Sequence, residues 1–289
     1  MEGEDKCCSA LEVCGDKVVV GWNNGQIGIY SATDLHCQTV LSYCENKARV
    51  TCLQCTSVEI IAGYSDGNVC VWNIKKKTLL RTLSVKNEKV QGGDYAVCMR
   101  WRAPRLVVCT MAGSLKIWQY SNTSVVLLGS WDERPMTVNH VDFNDTYVIL
   151  ERPQTVDIRY WNGQQIRSIS DLKLKVRCAA LDGNHLITGG EDKVVRIWNI
   201  ATGTRLKELE GHDSPVRAVD AYGGVIATSD SNGGVIIWNM NAALEGRQVK
   251  LAVLTHERLP RVPFLKLGEN ILVTAYSGKP KIQVTDFLA

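Results

Sequence analysis

The segments AGYSDGNVCVWNI (62–74), GGEDKVVRIWNI (189–200) and SDSNGGVIIWNM (229–240) are versions of one unit: polar turn residues, alternating apolar residues, then tryptophan and asparagine. Aligned on that tryptophan, Trp72, Trp118, Trp161, Trp198 and Trp238 fall in register, with Tyr30 in the same place near the start and Thr285 near the end. The intervals are 42, 46, 43, 37, 40 and 47 residues, close to the length of one four-stranded propeller blade. Positions one and three residues before each anchor are apolar throughout, as in Val69 and Val71 or Val195 and Ile197. That period of two predicts a strand with one face buried. A second β-branched strand precedes each, as in KVVVGW, EIIAGY and VIATS. Asn24-Gly25 and Asp66-Gly67 suit the tight hairpin between the two. A third strand lies upstream, as in VTCLQ (50–54), VRCAAL (176–181) and VRAVDA (216–221). Seven units predict an all-β chain, a seven-bladed β-propeller spanning 1–289 as one domain.

The ends carry a further expectation. The first inner strand is expected near Cys8–Val13, with only MEGEDK ahead of it, and the chain stops at VTDFLA, after the third strand of unit seven. An uncovered edge strand is a liability. Either the chain is a piece of a longer protein that supplies the closing strand, or the seventh blade stays three-stranded; the first is favoured.

Composition excludes several function classes. With 45% hydrophobic and 22% charged residues the chain is globular. A net charge of +3 lacks the basic excess of a general nucleic-acid binder. RWRAPR (100–105) interleaves an aromatic with arginines but fits a strand ending in a proline turn equally well. No run approaches the ~18 apolar residues of a membrane span, and no secretory h-region opens the chain, so a cytoplasmic or nuclear protein is expected. Eleven cysteines invite a metal reading, yet only Cys52 and Cys55 stand at C-x2-C spacing and no second pair follows at finger spacing. Neither metal nor cofactor is expected. Cys52, Cys98 and Cys178 share one inner-strand position, which argues for packing of a small residue.

The units resemble WD repeats: W-N closes a strand, Gly211-His212 opens the sixth unit, and Thr255-His256 stands in the corresponding place before the seventh. The resemblance implies a buried network of His, Ser/Thr, turn Asp and Trp within each blade. Asp66 and Asp192 hold the Asp position six residues before tryptophan, with Asn24, Ala112 and Asn232 elsewhere. No unit is expected to carry all four; unit six has His212, Thr228 or Ser229, and Trp238, but Asn232 in place of Asp. Those residues are read as scaffold.

Catalytic signatures are missing from the sequence: there is no G-x-S-x-G, no G-x-x-x-x-G-K and no H-E-x-x-H. The expected function is therefore binding of other proteins by a monomeric propeller, not catalysis. Arg49, Arg177, Arg217 and Arg261 stand at the beginnings of inner strands. Together they would form a cationic site for carboxylate or phosphate, since guanidinium forks bind both bidentately. For each taken singly, a solvated rim arginine paired with a nearby carboxylate is the plainer reading. RVTCLQC, KVRCAALDGNHLITGGEDKVVRIWNIATG and PVRAVDAYGGVIATSDSNGGVIIWNM, with their short links, resemble the propellers of F-box/WD-repeat proteins. This implies a ubiquitin-ligase substrate receptor that reads an acidic or phosphorylated peptide. A ligase adaptor would be reached through a region preceding the propeller. Arg177 and Arg217 match the family position directly; Arg49 stands one residue early. The alternative is a non-catalytic scaffold in trafficking, signalling or RNA processing.

Overall fold

In the computed structural model of the chain, the described residues are 7–43, 48–86, 93–121, 124–132, 138–153, 155–170, 176–247, 249–254, 264–267, 271–275 and 282–286. They form seven antiparallel sheets, each a meander of consecutive strands. The first contains β1 (Cys8–Cys14), β2 (Lys17–Trp22), β3 (Gln26–Ser31) and β4 (Cys37–Ser42). The second contains β5 (Val50–Cys55), β6 (Glu59–Tyr64), β7 (Asn68–Asn73) and β8 (Thr78–Ser84). The third contains β9 (Ala96–Arg102), β10 (Arg105–Thr110), β11 (Ser114–Tyr120) and β12 (Val125–Asp132). The fourth contains β13 (His140–Phe143), β14 (Tyr147–Arg152), β15 (Thr155–Tyr160) and β16 (Gln165–Ser170). The fifth contains β17 (Val176–Asp182), β18 (His185–Gly190), β19 (Val195–Asn199) and β20 (Arg205–Leu209). The sixth contains β21 (Val216–Tyr222), β22 (Val225–Asp230), β23 (Val235–Asn239) and β24 (Lys250–Leu254), with a one-turn helix, α1 (Met240–Leu244), before β24. The seventh shows three strands among the described residues: β25 (Phe264–Leu267), β26 (Ile271–Ala275) and β27 (Ile282–Asp286). The fold is a seven-bladed β-propeller.

The chain forms two compact units, 1–141 and 142–289. Within each, the second and third strands of the blades are almost wholly buried while the fourth strands face solvent, as in β6 against β8. The expectation of one buried face is corrected: both faces of the third strand are covered, as in β7 and β19, where four successive residues are buried.

Polar side chains stitch neighbouring inner strands together. In the first unit Gln54 Nε2 donates to Glu12 Oε2 at 2.5 Å, and Gln54 Oε1 accepts from the Trp101 backbone N–H at 3.1 Å. In the second unit Asp142 Oδ2 accepts from Leu181 N–H at 3.3 Å and Asp220 Oδ2 from Leu267 N–H at 2.9 Å. Blades one, two, four and six thereby lend a side-chain acceptor to the following blade, so these polar inner-strand residues cost little.

The shared cysteine position is a packing position. Cys52 pairs with Gly63, Cys98 with Cys109 and Cys178 with Gly189. A Cβ on Gly189 would overlap both Cys178 Sγ and Val216 of the next inner strand, which leaves room for nothing larger. Burial pushes the Cys52 thiol up to about 12 and Cys178 well above its ordinary range. Neither is a thiolate at neutral pH.

Tryptophan register holds in four blades and fails in the fourth. Trp72, Trp118, Trp198 and Trp238 pair with Ile60, Leu106, Leu186 and Ile226, the second residue of each preceding strand. The equivalent residue of β15 is Arg159, opposite Val148. Trp161 lies two positions beyond, outside the strand, where its Nε1 donates to the Asn144 and Asp145 carbonyls and its ring meets Phe143 edge-on at 5.1 Å. The anchor alignment at Trp161 is therefore corrected by two residues. The blade has lost the indole and carries a buried ion pair instead, Arg152 Nε to Asp157 Oδ2 at 2.7 Å.

Candidate functional site

The expectation that no unit carries all four network residues is corrected in the sixth unit, where the network is complete with a different acid. Trp238 Nε1 donates to Thr228 Oγ1 at 2.8 Å, Thr228 Oγ1 lies 2.7 Å from His212 Nε2, and His212 Nδ1 lies 3.0 Å from Asp230 Oδ2. Asp230 supplies the carboxylate that Asn232 lacks, from two residues earlier in the chain. Its Oδ1 also accepts the Asn232 and Gly234 N–H groups, fastening the turn. Burial outweighs the pull of the Asp230 carboxylate and holds the His212 pKa below its ordinary value. The ring is then neutral, with Nδ1–H donating to Asp230 and Nε2 accepting from the Thr228 hydroxyl. Asp66 and Asp192 act locally: Asp66 Oδ1 caps Asn68 N–H at 3.0 Å, and Asp192 Oδ2 pairs with Arg196 Nη2 at 2.6 Å.

The unfolded chain protonates His212 near pH 6.5, while the folded chain resists protonation until lower pH. Stability from the neutral ring is complete above that pH and is lost as pH falls toward the folded value. Between pH 7 and pH 5 the denaturation midpoint is expected to fall more steeply in the wild type than in His212→Gln, as read by urea titration.

Blade two lacks the hub hydroxyl. Ala62, opposite Cys70, stands where Thr188 and Thr228 stand in blades five and six. Trp198 Nε1 donates to Thr188 at 2.8 Å, whereas Trp72 Nε1 is buried with no hydrogen-bond partner among the described residues. Ala62→Ser is expected to stabilise the chain by about 1 kcal/mol, measured as a rise in the urea midpoint.

Two of the four candidate arginines share one backbone feature. In β17, Val176 pairs with Gly190 and Cys178 with Gly189, so Arg177 is an extra, unpaired residue. In β21, Val216 pairs with Asp230 and Ala218 with Ser229, so Arg217 is the extra residue there. Bulges of this kind re-aim a side chain and frequently border functional sites. The same bulge recurs at Ser9, Thr51 and Val97, and only β17 and β21 place a charge on it among those five. Arg177 is exposed and pairs with Glu191 through Nη2 and Oε1. Arg217 is partly buried; its Nε donates to Ser231 Oγ at 2.7 Å, and no carboxylate pairs with it among the described residues.

Arg49 is exposed but precedes Val50, outside the bulge, and its carbonyl accepts from Ser65 N–H at 2.9 Å. It belongs to the first unit, Arg177 and Arg217 to the second. Arg261 lies outside the described residues. The structure thus brings Arg177 and Arg217 onto equivalent positions of β17 and β21. Sequence reasoning passed over Glu191 and Ser231, whose signal was their shared spacing of 14 residues from those arginines.

The comparisons agree with this architecture. Residues 2–145 match the WD40 repeated domain, and residues 163–199 and 203–239 match the WD domain, G-beta repeat. The chain belongs to the WD-repeat family. Among similar proteins, the Dictyostelium discoideum periodic tryptophan protein 2 homolog is 21% identical over 296 residues, covering 96% of this chain and 31% of that protein. Human F-box/WD repeat-containing protein 4 is 22% identical over 218 residues, covering 68% of this chain and 50% of that protein. The chain spans half or less of the length of these relatives. A chain in a crystal structure of a mitotic checkpoint complex superposes with a TM-score of 0.79 at 16% identity, covering 96% of this chain and 89% of that one. WD propellers are in general non-catalytic modules that bind other proteins, and among the described residues no His/Cys/Asp/Glu group could hold a metal ion.

Proposed function

We propose that this propeller is the recognition module of an F-box/WD-type ubiquitin ligase, capturing an acidic or phosphorylated peptide through Arg177 and Arg217. The observation that carries this reading is the placement of two arginines on the bulges of consecutive inner strands. Guanidinium forks suit carboxylate and phosphate through charge-assisted hydrogen bonds, and acidic motifs are commonly read by arginine clusters. Likeness to F-box/WD repeat-containing protein 4 supports the pathway.

A second reading, a non-catalytic assembly scaffold, draws on the edge strand β12. There Val126, Leu127 and Leu128 are exposed in succession, the kind of apolar patch that marks protein contacts. Affinity capture with and without phosphatase treatment separates the two. The recognition reading expects captured partners to fall away after dephosphorylation and ligase subunits to accompany the full-length protein. A phosphatase-insensitive set of partners without ligase subunits would overturn it in favour of the scaffold.

A further inference from the structure

Arg177 and Arg217 share a backbone position, and so do the residues that meet them. Arg177 follows Val176 and Glu191 follows Gly190, the pair that opens the β17–β18 ladder; Arg217 follows Val216 and Ser231 follows Asp230, the pair that opens β21–β22. One arginine therefore faces a carboxylate and the other a hydroxyl. The hydroxyl is itself held: Ser231 Oγ donates to the Pro215 carbonyl at 3.2 Å and offers a lone pair to Arg217 Nε at 2.7 Å. That arrangement fixes the guanidinium by its Nε edge. The two terminal nitrogens carry four further donors, and no carboxylate engages them among the described residues. Arg177 differs, because Glu191 Oε1 meets its Nη2. Side-chain exposures of 42% for Arg177 and 26% for Glu191 leave the pair open to solvent, the setting in which ion pairs hold weakly.

Resting on the anionic-peptide reading above, we propose that Glu191 is an intramolecular competitor for that peptide's phosphate. Arg217 makes the first contact, and Arg177 joins only when the phosphate displaces the Glu191 carboxylate. The tethered carboxylate always stands within reach of Arg177, so a ligand carboxylate of equal charge gains little by exchanging with it. A phosphate near neutral pH carries closer to two charges and three acceptor oxygens, enough to compete with the single charge of that carboxylate. Glu191 is in this account a tuning residue of the site, lowering its affinity for weak anions.

The test is a titration of the full chain with phenyl phosphate, with acetate as the monoanion control, following the arginine Nε–Hε resonances by NMR. Glu191→Gln is expected to tighten phenyl phosphate about two- to five-fold, the range set by an exposed ion pair. The gain should vanish in the E191Q/R177M double variant. If Glu191→Gln leaves the affinity unchanged or weaker while Arg217→Met still lowers it, the competitor role is wrong and the anion site stands. If neither Arg177→Met nor Arg217→Met alters the titration, the anion site itself is wrong. Should E191Q fail to fold by circular dichroism, Glu191→Asp, which keeps the charge but shortens the reach, should show a smaller gain; no gain would overturn the role equally.

Discussion

Reversing Arg177 and Arg217 together to glutamate is expected to lower affinity for a phosphoserine peptide pool by about ten- to a hundred-fold. Hydrogen bonds to charged groups contribute about 1.5–3 kcal/mol each, and solvent at these partly exposed positions reduces that figure. The reversal also adds repulsion: a glutamate at position 177 would face Glu191, the present partner of Arg177. The fold should survive. Arg177 is exposed, and Arg217 gives up one hydrogen bond, to Ser231 Oγ; substitutions of this kind cost about 1 kcal/mol. Fluorescence anisotropy measures the binding and a urea titration the fold. Undiminished binding by the folded double variant would contradict the assignment of these arginines.

Thr228→Val is expected to cost about 2–4 kcal/mol, since one hydroxyl here serves two buried nitrogen partners. The two side chains have nearly the same shape, so no cavity opens and the effect isolates the hydrogen bonds. Thr228 is fully buried, accepts from Trp238 Nε1 and faces His212 Nε2. Removing it strands an indole N–H and an imidazole nitrogen in the interior, at about 1–3 kcal/mol each. The urea midpoint measures the change, and a loss below about 0.5 kcal/mol would show that the network is not holding the blade. Trp72 is the natural comparison, since blade two already tolerates an unpartnered indole beside Ala62.

The repeat was legible because the third strand runs between two others and burial keeps its one-before and three-before positions apolar in blade after blade, although the residues between them are buried too. Val69, Val71, Val195 and Ile197 are all fully buried. Where a blade substitutes its anchor, the alignment has nothing chemical to hold. Trp161 drew the fourth unit two residues out of register because the residue at the anchor position is Arg159. The acid of blade six was misplaced for a related reason: spacing along the chain pointed to Asn232, while the reach of His212 Nδ1 selects Asp230. Arg177 and Arg217 were found as residue types at strand starts, but no sequence pattern shows the bulge that lifts both out of the ladder. Nor does it show Glu191 and Ser231 folding back across 14 residues to meet them. Those features belong to the pairing of two strands.

Two guanidinium groups held outside the hydrogen-bond ladder, on matching strands, are where this molecule is expected to grip an anion. The most direct measurement is a residue-resolved NMR map of the arginine Nε–Hε and backbone amide signals during addition of a phosphoserine peptide pool. The account predicts that the Arg177 and Arg217 signals move first and furthest, and that the unphosphorylated pool leaves them in place. It would be contradicted if those two signals stayed still while the amides of Val126, Leu127 and Leu128 shifted.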